Sequence, residues 1–214
     1  GSEMCIRDSI NSVGERSMRK MFPSFDGGFN ITSVKDKNGS NISYTINKTM
    51  MRIDLNKPLL PNNSFELSID WWYYVNERAK LGGRSGYEYF EEDDNYLYTI
   101  AQFFPRMCVY NDVEGWQNKQ FLGSGEFTLP FGNYQVNITA PANHIVSATG
   151  VLSNPKEVLS ETQMERLDKA KNEFSNPIFI VNEKEAIKNE KSKIKSMKTW
   201  KFKAENVRDF GWAS

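Results

Sequence analysis

One histidine in 214 residues is the first constraint on what this chain can do. A usual zinc site needs two or more His or Cys ligands, and His144 has no second histidine and no nearby Cys pair to complete one. A Ser-His-Asp or Cys-His site would have to use His144 as its base, and no G-x-S-x-G elbow accompanies it. His144 follows Pro141, Ala142 and Asn143 and precedes an apolar run, so it reads as a turn or strand-edge residue. Cysteine is almost as scarce. Cys5 and Cys108 lie far apart and outside any C-x-x-C pattern, which excludes a disulfide framework. No apolar run reaches the roughly 18 to 20 residues that span a bilayer. Net charge is lacking too. Lys plus Arg and Asp plus Glu both total 27, so no global field draws the chain to nucleic acid or to an anionic membrane.

What is present is aromatic and alternating. Phe, Trp and Tyr make up 13% of the residues, and they favour strands. From Phe29 the chain reads as hairpins: 29–34, a turn at Asn38-Gly39, then Ile42, Tyr44 and Ile46, then Met51, Ile53 and Leu55. The clearest strand runs from Phe65 to Val75. Phe65, Leu67, Ile69, Trp71, Tyr73 and Val75 share one face, and Trp72 and Tyr74 lie on the otherwise polar opposite face. Residues 77–95 read as a polar, acidic loop, and Leu97 to Phe104 as a strand stopped by Pro105. Residues 126–140 read as a hairpin turning at Gly132-Asn133, and 145–152 as a short strand. Ser160 and Gln163 form a capping box for a helix carrying Met164, Leu167, Ala170 and Phe174, which Pro177 stops. Residues 178–181 read as a strand, 182–197 as a short exposed helix, and Trp200, Phe202 and Ala204 as a final strand. The expected fold is mainly β: a sandwich or curved multi-sheet domain with one or two short helices.

Other candidate signals read as structural. Glu88, Glu91, Glu92, Asp93 and Asp94 lack EF-hand spacing and read as a solvated loop. The lysines of 184–203 are interleaved with glutamates, which dilutes any field for nucleic acid. Residues 82–86 are Gly-rich without P-loop spacing, and they leave Arg84 to meet a carboxylate or a partner domain. Trp72 and Tyr74, with Trp116, offer either a sugar-stacking platform or contacts buried on both faces of the strand in a two-layer or multidomain setting; burial is the expectation. Abundant Asp and Glu are compatible with a two-carboxylate glycosidase, but nothing singles out an acid–base pair.

Several long segments carry a resemblance. LYTIAQFFPRMCVYNDVEGWQNKQFLGSGEFTLPFGNYQVNITAPANHIVSATGVLSNP begins at Leu97; GRSGYEYF lies at 83–90, PLLPNNSFELSIDWWYYV at 58–75 and WKFKAENVRDFGWAS at 200–214. In this order and spacing they resemble the N-terminal domain of aminopeptidase N-type zinc metallopeptidases (gluzincins), in their Bacteroidetes-like branch. The likeness covers most of the chain from about Phe29.

The resemblance implies a saddle-shaped β domain over 26–214, cut before a catalytic domain that carries a G-x-M-E-N-like segment and H-E-x-x-H. Residues 1–25 would be a tag, an artefact or a disordered start. Zinc is then expected in the catalytic domain and no cofactor in this segment, since H-E-x-x-H is absent and His144 is followed by Ile145 and Val146. The implied partners are that catalytic domain and a peptide substrate, with no nucleic acid, and the implied location is periplasmic, membrane-associated or secreted. One site residue carries over. In the family a Gln or Glu in a T-Q-F-x-P-like segment helps hold the substrate's free α-amine; the matching run is Ile100 to Pro105, and the residue is Gln102. Ala101 stands where many relatives have Thr. An amide oxygen accepts a hydrogen bond from an ammonium group; the alternative is that Gln102 caps a buried strand. The resemblance places no catalytic residue and no metal ligand here. A stand-alone β module binding a glycan or a protein is the competing reading.

Overall fold

Period-two alternation marks the strands, and these fall into two compact units. The computed structural model describes residues 25–120, 128–192 and 195–214. The readings placed on residues 1–24, and on Glu126 and Phe127, lie outside them. The fold is mainly β and multi-sheet, as expected. Four helices are described rather than one or two; two of these, α1 (Arg78–Leu81) and α2 (Pro155–Val158), are single turns. None is long and apolar enough to cross a membrane, among the described residues.

One unit combines residues up to Asn76 with 106–129. In it β1 (Asn30–Asp36) pairs antiparallel with β4 (Leu67–Trp72), and β2 (Tyr44–Asn47) with β3 (Met50–Ile53). Asn38-Gly39 forms the expected turn: Asp36 Oδ1 accepts from the N–H groups of Asn38 and Ser40 at 2.8 and 2.9 Å. The β2–β3 turn is held by Gln120. Its Oε1 accepts from Thr49 N and Thr49 Oγ1 at 3.0 and 2.7 Å, and its Nε2 donates to Asn47 O at 2.8 Å. That clamp joins the 106–120 segment, with its small β7 (Tyr110–Asn111) and β8 (Gly115–Trp116) pair, to a hairpin about seventy residues earlier.

The other unit combines Glu77–Pro105 with Pro130–Ser214. Its centre is the antiparallel pair of β9 (Gly132–Pro141) and β12 (Met197–Val207), in which Trp200 opposes Ile138, Phe202 opposes Val136 and Ala204 opposes Tyr134. These side chains share one face with Val146, Val158 and Phe210 in a continuous core. Gly132-Asn133 therefore begins a long strand instead of turning a hairpin. Asn133 Oδ1 accepts from Asn206 N at 2.9 Å, which closes the irregularity where β12 slips register after Ala204.

The sheet that positions the candidate site has the order β10 (Ser147–Ala148), β13 (Gly211–Ala213), β6 (Asn95–Ala101), β5 (Gly86–Phe90). Residues 86–101 thus form a hairpin where a loop was expected up to residue 95, because Tyr87 and Tyr89 face Tyr98 and Tyr96 as cross-strand aromatic pairs. The 145–152 strand is broken into β10 and β11 (Val151–Leu152), on different sheets, by Gly150 at φ +89°. Residues 178–181 form no strand. Helix α3 (Glu161–Ala170) carries the expected capping box but ends before Phe174, and α4 (Glu183–Glu190) has its own box from Asn182 and Glu185.

Candidate functional site

Gln102 lies one residue beyond β6, on the surface, with φ +53°. Its neighbours force this. Ala101 pairs with Gly211 across to β13, and its N–H donates to Ser85 Oγ at 3.1 Å. Phe103 meets Phe104, Phe210 and Trp212 edge-on, with ring centroids 5.0–6.5 Å apart, and Phe104 meets Tyr134. The chain must pass from a paired strand to a core-anchored aromatic pair in one residue, and the left-handed kink does so while turning the Gln102 side chain outward. A non-glycine residue in that conformation costs about 1–2 kcal/mol. Gln102 is therefore an exposed residue at the end of β6, two positions after the buried Ile100, and its amide has no hydrogen-bond partner among the described residues. Arg84 belongs to the same end of this ladder, since Gly86 pairs with Thr99 and Ser85 reaches Ala101; its side chain is exposed.

His144 is accounted for structurally. Its N–H closes a turn onto Pro141 O at 2.9 Å, its Nδ1 is 2.6 Å from Ser214 Oγ, and its ring lies 5.9 Å from that of Tyr98. Partial burial lowers its pKa. Among the described residues no three His, Cys, Asp or Glu side chains are grouped to hold a metal ion. Cys108 is a half-buried thiol whose Sγ is 3.9 Å from Met50 Sδ, and burial raises its pKa. The acidic 88–94 run is not the loop expected: Glu88 lies in β5, partly buried and paired with Arg78, while Glu91 to Asp94 form an exposed turn in which Asp94 accepts from the Tyr89 hydroxyl at 3.0 Å.

The aromatic residues depart from burial between layers of this chain. Trp72 and Tyr74 are 46% and 56% exposed, not buried, and their rings meet edge to face at 5.2 Å. Only the other face of the strand is covered, where Phe29 lies against Trp71 and Tyr73, and burial raises the Tyr73 pKa. Trp116, 52% exposed, pairs with Tyr110, again at 5.2 Å. The structure brings Trp72 together with Tyr74 and Trp116 together with Tyr110. Sequence reading missed Tyr110, and the signal available was its position across a tight turn from Trp116. Comparisons with protein-family models, with curated proteins and with solved structures find no match.

Proposed function

We propose that this chain is the non-catalytic N-terminal β segment of a zinc aminopeptidase-like metallopeptidase, supplying one wall of the substrate cleft. The reading rests on the segment resemblance, and the observation that carries it is the geometry of Gln102. The backbone that carries its amide is fixed between a paired residue and a core-anchored one, so binding has only the side chain's own rotamers to order. The amide oxygen can accept from a substrate's α-ammonium, a charge-assisted bond. Arg84 at the same ladder end offers a guanidinium fork to a carboxylate of the substrate or of the partner domain. Zinc and the general base belong to the catalytic domain, which is this segment's natural partner.

The test uses the complete reading frame, which on this proposal continues into G-x-M-E-N-like and H-E-x-x-H motifs. With an aminoacyl anilide as substrate, Gln102→Ala should raise KM about tenfold to a hundredfold, the range for losing a hydrogen bond to a charged group. Gln102→Glu should retain binding, and thermal stability should not fall. An unchanged KM, or an intact frame with neither motif, overturns the proposal.

A second reading is favoured by one observation, the exposure of both aromatic pairs. Such pairs suit a β module that stacks a glycan or a protein partner. It predicts ligand-dependent Trp fluorescence, lost in Trp72→Ala or Trp116→Ala. Silence across a glycan array counts against the glycan form.

A further inference from the structure

The opposite end of the β5–β6 ladder has a chemistry that neither reading uses. We propose that this hairpin is a docking site for a basic peptide segment, taking arginine side chains onto its tyrosine face beside the turn carboxylates. Residues 87–98 contain four tyrosines and five carboxylates and no Lys, Arg or His, in a chain whose overall charge is zero. The register places Tyr87 opposite Tyr98 and Tyr89 opposite Tyr96, so all four rings share one face. They form a continuous row, with centroids 4.8 Å apart for Tyr89 and Tyr96, 5.8 Å for Tyr87 and Tyr96 and 6.2 Å for Tyr96 and Tyr98. Towards the turn the row opens to solvent: Tyr89 and Tyr96 are 43% and 44% exposed. Phe90 and Leu97, on the other face, are exposed as well, so the tip projects uncovered on both sides.

Charge selects the occupant. Glu91, Glu92 and Asp93 are exposed and form no ion pair among the described residues. Asp94 is held against Tyr89 by the hydroxyl hydrogen bond, and Glu190 reaches the tip by accepting from Asn95 Nδ2 at 2.7 Å. The cations of the adjoining α1 are already committed, Arg78 to Glu88 and Lys80 to Glu77. Ring faces attract cations through the quadrupole, and a planar guanidinium also stacks on them, which an ammonium does not. An anionic partner is repelled by the same carboxylates, and a neutral glycan gains no charge attraction from them. The row's other end is closed by His144 and Ser214, so the site lies at the tip.

The test is fluorescence anisotropy of the 214-residue chain with labelled octa-arginine and octa-lysine at physiological salt. Octa-arginine should bind in the micromolar range and octa-lysine about threefold or more weakly. Tyr89→Ser and Tyr96→Ser should each weaken octa-arginine about two- to fivefold, the range for one exposed cation–π contact. Glu92→Gln with Asp93→Asn, exposed turn positions that leave the fold intact, should weaken both peptides. Absence of binding overturns the proposal. Equal affinity for the two peptides with no effect of the tyrosine changes also overturns it, since that is bulk charge attraction. So does binding that survives neutralisation of the turn.

Discussion

Val34 and Ile42 are the buried hydrophobic residues described in the unit that includes β1 to β4, whereas the unit around β9 and β12 buries ten, among them Trp200, Phe202, Phe210 and Ile100. The first unit has strands of two to seven residues in two-stranded sheets, and it carries both exposed aromatic pairs. Two-stranded ribbons are marginal by themselves, because each strand gains one partner and one covered face. The second unit puts an eleven-residue strand between two neighbours and a continuous core beneath it. The difference separates two uses of the same alternating pattern: one unit buries Trp200, Phe202 and Phe210 in a core, whereas the other fully buries none of its described aromatics. Hydrogen exchange should reproduce it, with amides of the β9–β12 ladder protected far longer than those of β2 and β3.

The largest single effect should come from Trp200→Ala. Trp200 is 1% exposed at the centre of the core, so truncation should cost about 3–5 kcal/mol, read as a lower urea midpoint. Val34→Ala in the other unit should cost less, about 1–2 kcal/mol, because it removes only two methyl groups and Val34 lies outside the continuous core. Equal losses would break the comparison. Trp200 Nε1 also has no hydrogen-bond partner among the described residues. Trp200→Phe removes that buried donor along with some volume, so it should cost clearly less than the alanine change.

Two glycines sharpen the contrast at constant backbone geometry. Gly39 and Gly150 have φ of +82° and +89°, so either substitution forces a side chain into the left-handed region. A Cβ on Gly39 meets nothing within 4 Å; one on Gly150 would lie 2.2 Å from the Lys203 carbonyl oxygen and 2.7 Å from Ala204 Cβ. Gly39→Ala should cost about 1 kcal/mol of backbone strain. Gly150→Ala should cost about 2–4 kcal/mol, because β12 must also move. Paired melting curves measure the difference directly.

Asn154 supplies the next effect. It is a buried polar residue that extends the pairing of β12 past β11: its Nδ2 donates to Thr199 O at 2.9 Å and its Oδ1 accepts from Lys201 N at 2.9 Å. Asn154→Ala should cost about 1–3 kcal/mol by leaving these backbone groups unpaired.

Alternation made β1, β4, β9 and β12 legible in the sequence, because their periods are long and one face is apolar. The capping box located α3 for the same reason: its signal is local. What was not legible depended on partners distant in sequence. Glu88 to Asp94 read as a loop because the carboxylates outweighed the tyrosines, whose pairing across the turn only the register discloses. Gly132-Asn133 read as a turn because the bulge that employs Asn133 lies at Asn206. Of the candidate site, Gln102 was named through resemblance alone. Its kink follows from Phe103 and Phe104 anchoring in a core built from residues a hundred positions later, and no local pattern encodes that.

The smallest effect should be the pH response of His144, in the better-cored unit. Burial lowers its pKa, so the unfolded chain takes up this proton at a higher pH than the folded one. Between the ordinary value near 6.5 and the lower folded value, the unfolded state holds more protons, and stability falls as pH falls through that window. Above about pH 7 both states are neutral and the contribution is complete. The Ser214 hydroxyl suits this direction, since it can donate to a neutral Nδ1 and must turn its oxygen toward a protonated one. Carboxylates such as Glu157 and Glu185, whose pKa values are lowered by hydrogen bonds from Asn154 and Arg166 respectively, lose their stabilising contribution at lower pH. The His144 component is isolated by comparing wild type with His144→Gln. The wild-type melting temperature should fall more than the variant's between pH 7 and 5.5, and parallel curves would show that the His144–Ser214 contact is indifferent to charge.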